Sequence, residues 1–470
     1  MAAPASAVDT KPTVVEEIAA YAHRARYEDL SKTSVEQLPT HVLDCVACSL
    51  AALGAPPVNA CRAQVRDFAD GGACRLIAGG TSNPVYASFW HTALVRYVDI
   101  MENFLAPTET CHTADNFGGV LTAADLADAS GREFMLGLAV SYTIQSRLVD
   151  HANFMTRGFD HTAQLAFSVP AAAGRLLGME AEQLAHAMAM AGASGASFAN
   201  IRAKPLSQWK GLASAQSAFA AMNALFLARR GVEGPLSIIE GPNGIDNLLH
   251  RPIEVDWANE KYEGIATSAI KRYNAEIHTQ SAIHCMVELR GRQPLDPAQI
   301  VSIEAVVPQI TFDFTGGGLY GGAATTITTK EQADHSLPYL LAVALLDGDV
   351  MPAQFLPERI GRDDVQHLLT KVVVKPGQDF TRAYPELMPA HLTVRLQDGS
   401  VLTHGVDDYP GLPCRPFTWD DAVSKYDRLV EGKVDPGLAG EIKDVIKNIA
   451  GSTTRDLTGL LARVPYPATD

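Results

Sequence analysis

"AHLTVRLQDGSVLTHGV", residues 390–406, alternates apolar and polar side chains through Leu392, Val394 and Leu396, turns at Asp398-Gly399 and returns. A period of two closed by an Asp-Gly turn predicts a β-hairpin. Upstream, "IVSIEAVVPQITFDF" (300–314) and "LLTKVVVKPG" (368–377) read as further strands. Everything before Ile270 has a different texture. "SVEQLPTHVLDCVACSLAALG" (34–54) opens on a Ser/Glu pair resembling a capping box and stops at glycine. "GREFMLGLAVSYTIQSRLVDHA" (131–152), "TAQLAFSVPAAAGRLLGM" (162–179), "AEQLAHAMAMAGASGA" (181–196) and "LASAQSAFAAMNALFLARRGV" (212–232) repeat the helical spacing with small residues that suit close helix packing. The tail, "DAVSKYDRLVEG" (421–432) and "AGEIKDVIKNIAG" (439–451), is helical again. The expected fold is α+β: an all-helical domain from residues 1–270 completed by 411–470, with a smaller α+β lid domain at 271–410.

The 470 residues carry a net charge of −15 and a hydrophobic fraction of 47%, the profile of a globular enzyme-sized chain. The acidity argues against nucleic acid or an anionic membrane as partner. No apolar run reaches the ~18 residues of a membrane span. The N-terminus shows no basic region followed by an apolar one, so a cytoplasmic location is expected. Seven cysteines without framework spacing suit a reducing compartment. Cys45 and Cys48 form a CxxC, but they lie on a face with Val42, Val46 and Leu50 and lack a second pair to complete a metal site, so they read as core.

Chemistry concentrates in four polar islands. "YVDIMENFLAPTETCHTADNFGGVL" (97–121) holds Asp99, Glu102, Asn103, Glu109, His112, Asp115 and Asn116, then a glycine pair before a helical run. "TRGFDHTAQ" holds Arg157, Asp160 and His161; "NIRAKPLSQWKGLASAQ" holds Arg202, Lys204, Trp209 and Lys210; "AIKRYNAEIHTQSAIH" holds Lys271, Arg272, Glu276, His278 and Gln280. Three of these precede predicted helices, whose free N–H groups attract anions. Lysine and arginine add carboxylate receptors, and histidine with aspartate moves protons. That inventory suits removal of a proton alpha to a carboxylate and expulsion of a neighbouring group. Taken singly each residue has a plainer reading: His161 as a helix cap, His112 as a buried loop histidine, Lys204 and Lys210 as solvated lysines. His186 and His284 sit inside helical runs and carry no assigned role. "GGGLYGGAA" (316–324) lacks a phosphate-loop pattern and reads as a mobile loop bearing Tyr320.

These islands, in order, resemble the MmgE/PrpD superfamily, with further similarity in "LPTHVLDCVACSLAALG", "KEQADHSLPYLLAVALLDGDV" and "YPELMPAHLTVRLQDGSVL". "HTADNFGGVL", "GFDHT", "LSQWKG" and "NAEIHTQ" are similar to the dehydratase branch of that family. The acidic stretch departs from the family pattern: Asp99 is kept, while Glu102 and Asn103 stand where Asp and Thr are usual. The resemblance implies a homodimer with a large helical domain and an α+β lid, working without an iron–sulfur cluster, other metal or cofactor. It implies a hydro-lyase taking a small tricarboxylate, 2-methylcitrate or citrate, to the aconitate-type alkene. The alternatives are a cis-aconitate decarboxylase producing itaconate and a dicarboxylate epimerase or isomerase. Carried over residue by residue, the resemblance implies catalytic roles for Asp99, His112, His161, Lys210 and Lys271. It implies substrate contacts for Asn116, Lys204, Arg272, Glu276, His278, Gln280 and Tyr320.

Overall fold

Small residues recur through the first half of the chain because the helices there meet backbone to backbone. The computed structural model describes residues 11–195, 197–203, 206–293, 295–318 and 326–467. Its first helices are α1 (Val14–Arg24), α2 (Lys32–Ala51), α3 (Pro56–Ala69), α4 (Pro84–Tyr97) and α5 (Phe117–Ala127). They continue with α6 (Gly131–His151), α7 (Leu165–Leu176), α8 (Ala181–Ser194) and α9 (Ala213–Ala228). Helix α2 starts earlier than the Ser34 pattern predicts. Its cap is Ser31, whose Oγ accepts from the Ser34 N–H at 3.1 Å. The pair Gly118–Gly119, read in the sequence as preceding a helical run, lies in the first turn of α5 and serves helix packing. A Cβ on Gly118 would lie 2.4 Å from the Thr92 amide nitrogen in α4, and one on Gly119 2.7 Å from Val169 Cγ1 in α7.

Apolar residues of α1 to α9 form one large core, which continues to Ile265. Tail residues join it: Tyr426 and Leu429 from the helix Trp419–Val430, which packs on α2, then Ile442, Ile446, Leu457 and Leu461. A second core runs from Tyr273 to Val394. It fills the space between the helices Gln280–Arg292 and Leu337–Asp347 and a four-stranded sheet. The strands of the molecule are β1 (Asp70–Arg75), β2 (Thr81–Ser82), β3 (Asn103–Leu105), β4 (Thr110–Cys111), β5 (Ser268–Ala269), β6 (Ile300–Val307), β7 (Val372–Pro376), β8 (Ala390–Leu396) and β9 (Val401–Val406). The large sheet has the order β7-β6-β8-β9, with β6 and β7 parallel and the other pairs antiparallel. The fold is therefore α+β and mostly helical.

The opening hairpin is β8–β9, with Gly399 in the left-handed region (φ +85°) where the Asp-Gly turn requires it. The strand expected over 300–314 ends at Val307, because Pro308 offers no N–H to the ladder; the chain then turns into helical geometry over Gln309–Gly316. Among the described residues, no single helix is long and apolar enough to cross a membrane. The CxxC thiols are buried in α2, Cys45 Sγ donating to Glu102 Oε1 at 3.4 Å.

Candidate active site

A short sheet positions the site. Strand β3 pairs on one side with β4 and on the other with β5, matching Asn103 with Ala269 and Phe104 with Ser268. The pairing places the segment after β5, which carries Lys271, beside the segment before β3, which carries Asp99. His112 follows directly on β4. Helix α4 ends at Tyr97, and Asp99 takes a left-handed conformation (φ +66°). That conformation costs a non-glycine residue about 1–3 kcal/mol, so the surroundings must hold it.

Three cations do so. Lys271 Nζ donates to Asp99 Oδ1 at 2.7 Å and to the Asp99 carbonyl at 3.1 Å; Lys210 Nζ donates to Oδ2 at 2.9 Å; Arg96 Nη1 lies 3.3 Å from Oδ1. Burial pushes the Asp99 carboxyl up, but Arg96, Lys271 and Lys210 together outweigh it and hold the group well below the usual carboxylate range. Lys210 Nζ also reaches Asp334 Oδ1 at 3.0 Å and His335 Nδ1 at 3.2 Å. Asp99, Asp334 and His335 bring donor atoms within 4.8 Å of one another, as metal ligands would be. The centre of that group is already taken by an ammonium.

The cavity above Asp99 is lined by Arg96, His112, His161 and Arg202 from the helical part of the chain, and by Lys271, Glu276, Phe314 and His335 from the segment after β5. The two histidine rings meet edge to face, centroids 4.6 Å apart. Their protons are ordered by what lies behind them. Asn103 turns its amide nitrogen to the carbonyls of Met101 (3.1 Å) and Glu102 (3.2 Å), so its oxygen accepts from His112 Nδ1 at 2.7 Å. The proton of His112 therefore sits on Nδ1, and Nε2 keeps its lone pair. Arg202 Nη2 donates to His161 Nε2 at 3.2 Å, which places the His161 proton on Nδ1, where it finds no acceptor among the described residues. Burial, then the charge of Arg96, hold His112 well below the ordinary histidine value. Burial pushes His161 down to about 3, against the pull of Asp160. Both rings are neutral at neutral pH.

Asp99, His112, His161, Lys210 and Lys271 are thus brought together, with Lys210 standing behind the cavity wall. Glu276 reaches the cavity, tied to His278 Nδ1 at 2.6 Å. His278 itself turns to Glu276 and to Tyr384 Oη (3.1 Å) and stacks on Phe314. Asn116 was expected to face the pocket and does not. Its amide nitrogen donates to Gln145 Oε1 at 2.6 Å and to the Thr113 carbonyl at 3.0 Å, and its oxygen accepts from Ser168 Oγ at 2.6 Å, leaving it no free group. Gln280 staples the loop that carries Lys271: Oε1 accepts from the Arg272 and Tyr273 N–H groups, both at 2.9 Å. Arg272 leans over the Tyr273 ring, outside the cavity lining. Lys204 and Tyr320 lie outside the described residues.

Sequence reading passed over Arg96, His335 and the role of Asn103, and quoted Arg202 without assigning it. Each left a signal. Arg96 is a charge in the apolar run "WHTALVRY", one helical turn before Asp99; Asp334-His335 repeats the Asp160-His161 pair ahead of an apolar helix. Glu102, where the acidic stretch departs from the family pattern, points away from the cavity to His41 and Tyr142.

A mostly helical α+β protein with paired histidines over a cation-ringed aspartate at the meeting of two cores has a site equipped for acid/base chemistry. The MmgE/PrpD N-terminal domain model matches residues 16–258 and the MmgE/PrpD C-terminal domain model matches residues 273–450. The chain belongs to the MmgE/PrpD family. It is 24% identical over 420 residues to the 2-methylcitrate dehydratase of Cupriavidus necator, covering 82% of this chain and 83% of that protein. It is 25% identical over 423 residues to the 2-methylcitrate dehydratase of Escherichia coli O157:H7, with 82% and 83% covered. It is 24% identical over 413 residues to the human cis-aconitate decarboxylase, with 82% and 80% covered.

Proposed function

We propose that this chain is a hydro-lyase that removes water from 2-methylcitrate or citrate to give the aconitate-type alkene. The observation that carries the reading is a neutral His112 whose Nε2 lone pair is left free by the Nδ1–Asn103 bond, in the same cavity as the Lys271 ammonium. A dehydratase needs an unprotonated base and a protonated acid together. His112 Nε2 takes the proton from the carbon alpha to a carboxylate. The C–H electron pair becomes the new C=C bond, and the C–O pair leaves with the hydroxyl. Lys271 Nζ protonates that hydroxyl, so that water departs. Burial lowers the Lys271 pKa against the pull of Asp99, which moves the ammonium toward the range of a useful acid. His161, neutral with an undonated N–H, is a hydrogen-bond donor to the departing oxygen. Asp99 favours the proton on His112 once it has been taken. The imidazolium and the neutral amine then reset through solvent.

A cis-aconitate decarboxylase is the second reading, supported by the 24% identity to the human enzyme of that name. That reaction needs an acid at the alkene carbon and no base, so it leaves the neutral His112 and its free Nε2 without a role. Proton NMR time courses of EDTA-treated protein with 2-methylcitrate, citrate and cis-aconitate in separate tubes decide between them. New alkene signals from either of the first two are expected. Itaconate methylene signals from cis-aconitate, with the other tubes unchanged, make the decarboxylase reading the right one.

A further inference from the structure

The cations of the cavity differ in one respect. Arg202 grips Asp160 with two bonds, Nε to Oδ2 at 2.7 Å and Nη2 to Oδ1 at 3.0 Å. Lys271 gives two of its three donors to Asp99, and Lys210 meets Asp99, Asp334 and His335. Arg96 is 1% exposed, lines the cavity, and its Nε and Nη1 have no hydrogen-bond partner among the described residues. Asp99 Oδ1 lies 3.3 Å from its Nη1 and Asp115 Oδ1 lies 4.0 Å from its Nε, close enough to attract but not aligned to accept. Guanidinium does not shed its charge, and buried donors left unmet are costly. A planar guanidinium in a cavity wall, with its Nε and Nη1 hydrogens not engaged in hydrogen bonds, suits a carboxylate bound through paired bonds.

We propose that Arg96 is the receptor for the carboxylate attached to the carbon that loses its proton, and so decides which carbon His112 addresses. The inference rests on the acid-substrate reading above and names the contact within it. As the proton leaves, negative charge spreads onto that carboxylate, and a fixed guanidinium stabilises it without reorganising. The same contact also readies the base. The Arg96 charge stands next after burial among the influences that hold His112 neutral. A bound carboxylate cancels that charge, so His112 gains basicity when substrate is in place.

The test uses full-length wild type, Arg96→Gln and Arg96→Lys, with propane-1,2,3-tricarboxylate as an unreactive probe in calorimetric titration and 2-methylcitrate in turnover. Arg96→Gln should bind the probe about 10²-fold more weakly, the loss expected for a charged hydrogen-bonded pair. Arg96→Lys should recover only part of it, because a point charge lacks the fork. With 2-methylcitrate, kcat should fall as well as KM rise. Probe affinity within twofold of wild type in a folded Arg96→Gln protein overturns the proposal, as does failure of wild type to bind the probe at millimolar concentration. If Arg96→Gln does not fold, Arg96→Lys decides: a loss of tenfold or more in kcat/KM supports the fork and wild-type kinetics refute it. Should wild type bind the probe through Arg96 yet dehydrate neither acid, the receptor stands and the proposed reaction falls. Should wild type dehydrate and Arg96→Gln match it, the receptor falls and the reaction stands.

Discussion

Asp99 precedes a short hairpin and Glu109 lies in its turn; both are buried, and their carboxyl groups are driven in opposite directions. Burial penalises the charge on each. Around Asp99 that penalty meets Arg96, Lys271 and Lys210, and the group stays an anion far below its usual range. Around Glu109 it is met by the Met155 N–H at 3.3 Å and the Gln164 amide at 3.5 Å, and the carboxyl is pushed up to about 8. One region is a fixed negative pole from which cations are hung. The other is a neutral acid packed behind Met155, which lines the cavity. The difference shows that burial by itself makes a carboxyl neutral, and that charge persists in a core only where counter-charges have been placed for it.

Four experiments sharpen or break the comparison. The largest effect belongs to the working side: His112→Asn should lower kcat by about 10²–10⁴-fold, the usual contribution of a general base, with the melting temperature nearly unchanged. A fully active variant would remove His112 from the chemistry. Asp99→Asn comes next. It strands three buried cations, and loss of one partner from such a group costs about 3–5 kcal/mol, read as a lower urea midpoint. An unchanged midpoint would mean that the cations do not need the pole.

The Glu109 side predicts a pH effect and no catalytic one. Its folded pKa of about 8 lies above the unfolded value of 4.5, so its contribution to stability is full below pH 4.5 and is lost as pH rises toward 8. Glu109→Gln should erase that contribution, about 1.4 kcal/mol per pH unit across the window, while leaving kcat at neutral pH within a few-fold. His161 has the reverse sign. Its folded pKa of about 3 lies below the unfolded 6.5, so stability is full above pH 6.5 and is lost as pH falls toward 3. His161→Asn should flatten the acid limb of a melting-temperature profile by about 1.4 kcal/mol per pH unit at most. Between pH 4.5 and 6.5 the two slopes oppose each other, so each is visible only in the single variant.

Much of the site was legible because polar residues in an apolar sequence need a reason. Asp99, His112, His161 and Lys271 each stand out in that way and converge on one cavity, with Lys210 behind its wall. Asn116 stood out equally and serves packing, since an amide buried between helices is satisfied by Gln145 and Ser168 as well as by a ligand. Arg96 was hidden for the converse reason. A single charge at helical spacing in α4 looks like one solvated position on an otherwise buried face, and only the packing of α5 and the turn Thr113–Asn116 on α4 removes the solvent.

The sequence by itself determined the elements, because side-chain periodicity is local: period two in β8–β9, helical spacing and small residues in α6 to α9, and a texture change near Ile270. It also held the inventory of acids, bases and cations. The tertiary structure alone decided their states. The pairing of β5 with β3 brings Lys271 to Asp99 from far along the chain, Asn103 chooses the nitrogen of His112 that keeps its lone pair, and Lys210 fills a nest of ligand-type atoms. Protonation and charge pairing depend on distance and desolvation, and those are properties of the packed molecule rather than of any stretch of it.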